Sequence, residues 1–505
     1  MATQVVIGKG SEPAVLLCNK LNRHGIIAGA TGTGKTVTLK VLAEQLSEQG
    51  IPVFLSDIKG DLASLAQAGE VTDKIQERLT SLDYLDYEPS SYPTQFWDVR
   101  GQDGIAIRTT ISEMGPILLS QLLGLNDTQE GILNIAFKVA DDEGLLLIDL
   151  KDLRAMLNYV ASKAGELRSL YGNIAQQSIG AILRSLLVLE EQGGDVFFGE
   201  PAFEIADLLQ VDSDGRGVIN ILASEKLFLT PKLYSTFLLW FLSELYESLP
   251  EVGDLEKPKM VFFFDEAHLL FQNTNPEVIE KVELIVRLIR SKGIGIFFVT
   301  QNPTDIPDSV ASQLGHRIQH GLRAFTPKEQ KSVKAVAETF RQDQERDLVA
   351  EITNLKVGQA VVSFLREDGS PSFADIATIF PPKSLMGVVD PLVRQEIINK
   401  SKFYNKYSEP IDRQSAHEEL LKMEQTLNEQ AQMDLKAQED LKAQQLEEKE
   451  RLKQEKELER QARSSTPAGR KTDSTMDRFT KNFMSTVGRE VGKVISRGIL
   501  GMFKK

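Results

Sequence analysis

Short apolar runs, each closed by glycine or by a polar cluster, alternate with stretches of three-four hydrophobic spacing at both ends of the first 390 residues. Such alternation predicts strand followed by helix, and so an α/β fold with a parallel sheet. "HGIIAG" (His24 to Gly29) reads as a buried strand, "KTVTLKVLAEQLSEQG" (Lys35 to Gly50) as a helix stopped by glycine, and "IPVFLSDIKGDL" as the next strand, ending at Asp57. The crossover between them is a βαβ unit. From Lys257 the alternation resumes with "KMVFFFDEAH", a helix through "EVIEKVELIVRLIRS", the run "GIGIFFVTQNP", a further helix and "HRIQHGLRAF". After "PKEQKSVKAVAETF", a hairpin is predicted from "GQAVVSFL" and "SFADIATIF" about the turn "REDGSP", and the folded unit is expected to close near Pro381-Pro382.

Between these halves the pattern turns helical, as in "SIGAILRSLLVLEEQGG" and "PKLYSTFLLWFLSELYESL", with one expected strand, "GVINILAS" (Gly217 to Ser224). Five segments result: residues 1–100 as the N-terminal part of the core, 101–250 as a mainly helical insertion, 251–390 as the C-terminal part of the core, 391–466 as a charged helical stalk, and 467–505 as linker and tail. From Ile411 to Thr466 there is no Gly or Pro, and Glu, Lys, Gln and Leu dominate. Leu420, Leu427, Leu435, Leu441, Leu446, Leu452 and Leu458 fall at irregular intervals, which favours a solvated helix over a coiled coil. The last segment, 474–505, turns basic and amphipathic, a character that suits an anionic membrane, nucleic acid, a protein partner or a loosely ordered end.

Hydrophobic residues make up 41% of the chain, and no apolar run approaches the roughly 18 residues needed to cross a bilayer. "FLLWFL" (Phe237 to Leu242) is short and suits a buried helix. The first twenty residues lack a secretory pattern, so a cytoplasmic location is expected. Cys18, the single cysteine, is expected in the core. With 72 acidic against 58 basic residues the net charge is −14, which argues against a broad nucleic-acid-binding surface but not against a few cations gathered on an inner face.

The stretch "GATGTGKT", Gly29 to Thr36, carries the chemistry. It fits G-x-x-x-x-G-K-[ST], a loop whose backbone N–H groups curl round phosphates while a lysine reaches the outer phosphates and a hydroxyl holds Mg²⁺. Gly29, Ala30, Thr31, Gly32, Thr33, Gly34, Lys35, Thr36 and Val37 are therefore the expected ATP contacts. "MVFFFDEAH" delivers Asp265 and Glu266 to a strand's C-terminal edge, where ligands bind in open α/β sheets. Thr36 and Asp265 supply hard oxygens suited to Mg²⁺, and Glu266 is free to polarise the attacking water. "FFVTQNP" brings Gln301, whose amide can donate to a γ-phosphate and accept from water. An arginine from a neighbouring copy is expected to meet transition-state charge. Arg287, Arg290, Arg317 and Arg323 are the candidates, with Arg290 and Arg317 preferred. Asp57, with Lys59 and Asp61, is expected on the strand beside the phosphate loop, either near the water or as a turn residue; His24 and His268 read as packing or hydrogen-bonding histidines.

Together, "NRHGIIAGATGTGKTVTL", "PVFLSDIKGDL", "VFFFDEAHLLF" and "GIGIFFVTQNPTDIP" resemble the HerA-like ATPases of the HerA/FtsK superfamily, over roughly residues 1–390. The resemblance implies a P-loop NTPase of the additional-strand catalytic-glutamate, RecA-like type, with an extra strand between the phosphate-loop strand and the Asp265 strand. It also implies ATP hydrolysis, hexameric rings and relatives that thread double-stranded DNA. DNA-processing members carry an N-terminal β-barrel that docks a nuclease; here the phosphate loop begins by residue 29, so nuclease partnership is not expected to carry over. Three functions follow as alternatives: a DNA-dependent translocase, an ATPase acting on a protein or membrane client through residues 474–505, and a slow nucleotide-dependent scaffold.

Overall fold

Twelve strands form one sheet among the described residues of the computed structural model, which are 3–253, 255–271, 276–342 and 346–464. The tail expected at 474–505 lies outside them. In chain order the strands are β1 (Gln4–Lys9), β2 (Pro13–Leu17), β3 (Gly25–Ala28), β4 (Val53–Asp57), β5 (Thr94–Asp98), β6 (Ile105–Ala106), β7 (Ile219–Ala223), β8 (Met260–Phe264), β9 (Ile294–Thr300), β10 (His316–His320), β11 (Gln359–Ser363) and β12 (Asp375–Ile379). Their order in space is β2-β1-β12-β11-β10-β3-β9-β8-β4-β7-β5-β6. From β10 to β6 every pair is parallel; the hairpin β11–β12 and the N-terminal hairpin β1–β2 extend the other edge antiparallel.

β3, β4, β8 and β9 are buried along their whole length, which is why they read as unbroken apolar runs rather than as alternations. β9 lies between the phosphate-loop strand β3 and the acidic strand β8, so the fold is that of a RecA-like P-loop NTPase with its additional strand. One expectation is corrected. β4, ending in Asp57, pairs with β7 and β8 and is separated from β3 by two strands, β8 and β9.

Register fixes what meets at the upper edge. Ala28 pairs with Thr300, and Phe264 pairs with Phe298, so three neighbouring strands reach their C-terminal ends together. The helix Pro231–Ser248 covers this region and is buried nearly all round, as "FLLWFL" suggested. Phe241 packs with its ring centroid 4.5 Å from that of Phe54, tilted, and 5.6 Å from that of Phe262, edge to face. Burying one such ring contributes about 1.5–3 kcal/mol, so this helix pins the centre of the sheet. No helix among the described residues is long and apolar enough to cross a membrane.

The helices Ile111–Leu123, Asp127–Glu143 and Leu150–Ser162 each begin with a capping box: Thr110 with Glu113, Asn126 with Gln129, and Asp149 with Asp152. Each box satisfies two otherwise unpaired N–H groups, so these starts are written in local sequence. The first helix kinks at Gly115, whose positive φ of 71° accommodates the following Pro116.

Packing continues beyond Pro381-Pro382, where the sequence pattern placed the end of the folded unit. Glu44, buried on the helix Lys35–Glu48, accepts from the backbone N–H of Lys383 (2.9 Å) and Ser384 (3.0 Å). Buried Lys40 on the same helix donates to the Leu385 carbonyl and to Ser64 Oγ. Further on, Arg108 donates to the Tyr407 carbonyl at 2.7 Å and Asp152 accepts from the His417 N–H at 2.9 Å. The first compact unit is Met1–Met423 and the second begins at Glu424, within the helix Ala416–Ser464. In the second unit Leu427, Leu435, Leu441, Leu446, Leu452 and Leu458 are all exposed, as expected of a solvated helix.

Candidate functional site

The loop Gly29 to Gly34 leaves β3 and enters the helix Lys35–Glu48. Gly29, Gly32 and Gly34 have φ of 153°, 79° and 115°, a region closed to most side chains. Gly34 has a further reason: a Cβ there would stand 3.2 Å from the backbone of Gly358. At Gly32 a Cβ would meet nothing within 4 Å, so the loop is tight where it faces the protein and open where it faces outward. The loop's N–H groups and the helix start together make an anion site. Lys35 Nζ rests on the carbonyls of Gly29 (2.5 Å) and Ala30 (3.2 Å), which curls the loop. Burial lowers the Lys35 pKa, while the nearby charges of Asp265 and Glu266 raise it. The lysine and the acidic strand end therefore face one another electrostatically across the gap between β3 and β8.

Four residues missed by sequence reasoning, Gly321, Gly358, Arg78 and His320, build the back of the loop. Ala30 N–H donates to the Gly321 carbonyl at 3.0 Å, and Gly358 N–H donates to the Thr33 carbonyl at 3.0 Å. Arg78 then donates to the carbonyls of Gly358 (2.7 Å) and Ile379 (2.9 Å). His320, at the end of β10, bonds Thr38 Oγ1 at 2.9 Å through Nε2 and the Gln359 carbonyl at 2.9 Å through Nδ1, which makes Nδ1 the protonated nitrogen. Burial pushes His320 down to about 4. No short motif announces these residues, since they come from more than 40 to more than 300 positions along the chain.

At the end of β8, Asp265 and Glu266 turn away from each other. Asp265 Oδ1 accepts from the Glu266 N–H at 2.9 Å, and Glu266 adopts a left-handed backbone, φ 48° and ψ 43°. Such a conformation costs a non-glycine residue on the order of 1 kcal/mol or more and clusters at functional sites. Burial and the neighbouring Glu266 charge push Asp265 up to about 7. Tyr234 supports the turn by donating to the Asp265 carbonyl at 2.9 Å. Gln301, at the end of β9, donates through Nε2 to Glu266 Oε1 at 3.0 Å and accepts from Thr31 Oγ1 at 3.4 Å. The other oxygen, Glu266 Oε2, is buried without a hydrogen-bond partner, with His268 Nδ1 3.3 Å away at ion-pair distance.

A buried orphan oxygen beside a carboxyl whose anion is disfavoured is a site short of positive charge and of donors. Hard oxygens at Asp265 and the part-exposed Thr36, the latter forming no side-chain bond among the described residues, fit Mg²⁺ with retained waters. A cavity of about 670 Å³ opens beside Ala30, Thr31 and Gln301. Val37, part-buried, lies on the helix that carries Lys35 and Thr36.

Of the remaining candidates, Lys59 and Arg323 border this cluster and the others take no part in it. Asp57 is a turn anchor: its carboxylate accepts from the N–H groups of Gly60 (2.8 Å) and Ala63 (2.9 Å), and burial pushes it up to about 6. Lys59, exposed, contributes charge at both Asp265 and Lys35. Arg290 is exposed just before β9, seven strand residues and therefore about 23 Å from the phosphate-loop edge. Arg317 is part-buried and donates to the Ala311 carbonyl at 3.2 Å. Arg323 is exposed on the wall of the 670 Å³ cavity, and Arg287 is exposed on its helix. His24 is a packing histidine, bonded to the Val286 carbonyl (2.7 Å) and the Ile296 N–H (3.1 Å). Cys18 is buried, its thiol pushed up to about 11.

The family model described as "Helicase HerA-like C-terminal" matches residues 3–505. The chain is 24% identical over 372 residues to a DNA double-strand break repair helicase HerA of Sulfurisphaera tokodaii, covering 70% of this chain and 66% of that protein. It is 23% identical over 373 residues to the protein of the same name in Saccharolobus solfataricus, covering 71% and 64%. The matches thus span slightly less than two thirds of the relatives' own length. Among solved structures, the bacterial conjugative coupling protein TrwBdeltaN70 superposes with a TM-score of 0.51 at 16% identity, covering 78% of this chain and 92% of that one.

Proposed function

The chain belongs to the helicase HerA-like family, and from that premise we propose that it is an ATP-hydrolysing motor that assembles as a hexameric ring and translocates on double-stranded DNA. The observation that carries the hydrolytic part is the convergence of Thr31, Glu266 and Gln301 at one sheet edge, each from a different segment, with Gln301 hydrogen-bonded to both of the others. A phosphate cradle alone binds; a cradle with a strained, half-satisfied carboxylate facing it is equipped to cleave.

In this reading, the N–H groups of Gly29 to Thr36 wrap the β- and γ-phosphates, and Val37 lines the base of the helix behind them. Lys35 releases its loop carbonyls and donates to the β- and γ-phosphate oxygens. Thr36 and Asp265 would hold Mg²⁺, which would supply positive charge against those phosphates. Glu266 Oε2, the oxygen without a hydrogen bond, accepts the proton of a water whose oxygen attacks the γ-phosphorus as the bond to the ADP oxygen breaks. Gln301 keeps the Glu266 carboxylate aimed through Oε1 and reports the γ-phosphate by exchanging its Thr31 and Glu266 partners. Of the arginines, Arg290 makes no ion pair among the described residues and lies too far along the sheet to serve its own loop, so it is the one that reaches a neighbour's site, whereas Arg317 is engaged with the Ala311 carbonyl.

The test measures phosphate release with and without duplex DNA. Expected are magnesium-dependent turnover in the wild type, acceleration by duplex that fades as salt rises, and retention of ATP binding without turnover in Glu266→Gln. Acceleration by anionic vesicles instead, lost on removing residues 474–505, would replace DNA by a membrane client.

A further inference from the structure

The helix Pro327–Glu338 has one face in a small separate core, through Val333, Val336 and Ala337, and turns the other outward with Lys328, Lys331 and Lys334 exposed. Arg323 and an 81% exposed Phe325 precede it in the loop that leaves β10. Among the described residues none of these four cations forms an ion pair, in a chain whose net charge is −14. The acid among the cavity-lining residues, Glu329, is used up by the helix start: its carboxylate accepts from the N–H groups of Phe325 and Thr326, and these bonds hold its pKa below the usual carboxylate range. The cavity of about 670 Å³ that Arg323, Lys328 and Lys331 line is the one that opens beside Ala30, Thr31 and Gln301.

This cationic wall is tied to the phosphate edge through Ser332, which bonds Asn302 and, at 3.3 Å, Thr304 Oγ1. Asn302 follows Gln301 directly, and its Oδ1 accepts from Ser332 Oγ on the helix at 2.9 Å and from the Thr304 N–H at 3.3 Å. A change in what Gln301 bonds shifts the backbone that carries Asn302, and with it the anchor of the helix.

We infer that the outer face of the helix Pro327–Glu338, with Arg323, binds the phosphodiester backbone of duplex DNA, and that the Asn302–Ser332 bond couples this contact to nucleotide occupancy. The inference rests on the DNA-motor reading above and names the surface that would serve it. Unpaired, exposed ammonium groups at helical spacing neutralise successive phosphates without reading sequence, the contact a translocating protein needs.

The experiment follows fluorescence anisotropy of a labelled duplex across a salt series, with the full chain and either a non-hydrolysable ATP analogue or ADP. Lys328→Gln/Lys331→Gln/Lys334→Gln is expected to bind at least tenfold more weakly at 0.1 M salt. Its slope of log affinity against log salt is expected to be shallower by about 2–3, at about 0.9 per phosphate contact, with analogue affinity and DNA-free turnover unchanged. Ser332→Ala is expected to keep duplex affinity in ADP and lose the difference between the two nucleotides. A triple variant that binds duplex like a binding-competent wild type overturns this surface and leaves the motor reading standing. Loss of analogue affinity in the triple variant overturns it differently, by assigning the lysines to nucleotide phosphates. A wild type that hydrolyses ATP yet binds no duplex removes both readings together.

Discussion

Gln301 Nε2 donates to Glu266 Oε1 at 3.0 Å, joining the ends of two strands that sit side by side although the residues are 35 positions apart. The bond satisfies one oxygen of a carboxylate whose residue is held in a left-handed backbone and leaves the other without a hydrogen bond. Positioned bases contribute on the order of 10²–10⁴ in rate. Glu266→Gln should therefore lower turnover by about that factor while ATP binding, read by a fluorescent analogue, stays within about threefold of wild type. Gln301→Ala should lower turnover by about 10–100-fold, since the base remains but is no longer aimed. Wild-type turnover in Glu266→Gln would remove the assignment of the base.

Lys35 presents a different balance. Its ammonium rests on two loop carbonyls and is poised against Asp265 and Glu266, so without nucleotide it holds the loop together, and with nucleotide it supplies charge-assisted bonds to phosphate. Lys35→Ala should abolish the ligand-induced rise in thermal stability. In the wild type, nucleotide at a hundred times its dissociation constant adds about 2.7 kcal/mol of unfolding free energy. In the variant the melting temperature should not move at the same nucleotide concentration. A full ligand shift in Lys35→Ala would show that backbone N–H groups alone hold the phosphates.

Much of this site was legible because its chemistry is written in contiguous residues. The glycines of "GATGTGKT" announce positive φ, and the buried strands β8 and β9 announce themselves as unbroken apolar runs ending in Asp265-Glu266 and Thr300-Gln301. What stayed hidden depends on which strand lies beside which. Asp57 was expected beside the phosphate loop because β4 follows β3 in sequence, yet in the sheet β8 and β9, more than 200 residues later in the chain, come between them. Gly358, Arg78 and His320 act through backbone carbonyls and close approach, and no residue pattern marks a glycine that must be bare only because another glycine lies against it. The short hairpin β1–β2 likewise finds its place only by pairing with β12, hundreds of residues later.

His320 gives a pH dependence with a definite sign. Burial depresses it to about 4, against an ordinary value of 6.5, so between those limits the unfolded chain binds a proton that the folded one refuses. The contribution is present above about pH 6.5 and is lost as pH falls toward 4, with a ceiling of about 3 kcal/mol for a shift of this size. Denaturant unfolding from pH 4 to 8 should show His320→Gln losing less stability on acidification than wild type, although it starts lower at pH 8 through its lost bond to Thr38 or Gln359. His24 and His316, also depressed to about 4, keep the residual acid sensitivity in the variant. Parallel profiles for the two proteins would place the acid response elsewhere.

Gly358 carries the most stringent test of how the phosphate loop is supported, because it lies far from every motif. Its φ is 77°, its N–H donates to the Thr33 carbonyl, and a Cβ would stand 2.5 Å from Arg78 Nη2. Gly358→Ala should therefore meet two penalties, a left-handed conformation costing about 1 kcal/mol and displacement of the guanidinium from the Gly358 and Ile379 carbonyls. Because Thr33 and Gly34 rest against Gly358, the displacement should reach the nucleotide: weaker ATP affinity by roughly tenfold, beyond the loss of stability. Arg78→Ala separates the two effects, since it removes the guanidinium without straining the glycine. It should lower stability by about 1–3 kcal/mol through unsatisfied carbonyls and weaken ATP less than Gly358→Ala does. If both variants lose stability yet bind ATP as wild type does, the loop is self-supporting and the contact with Gly358 is packing alone.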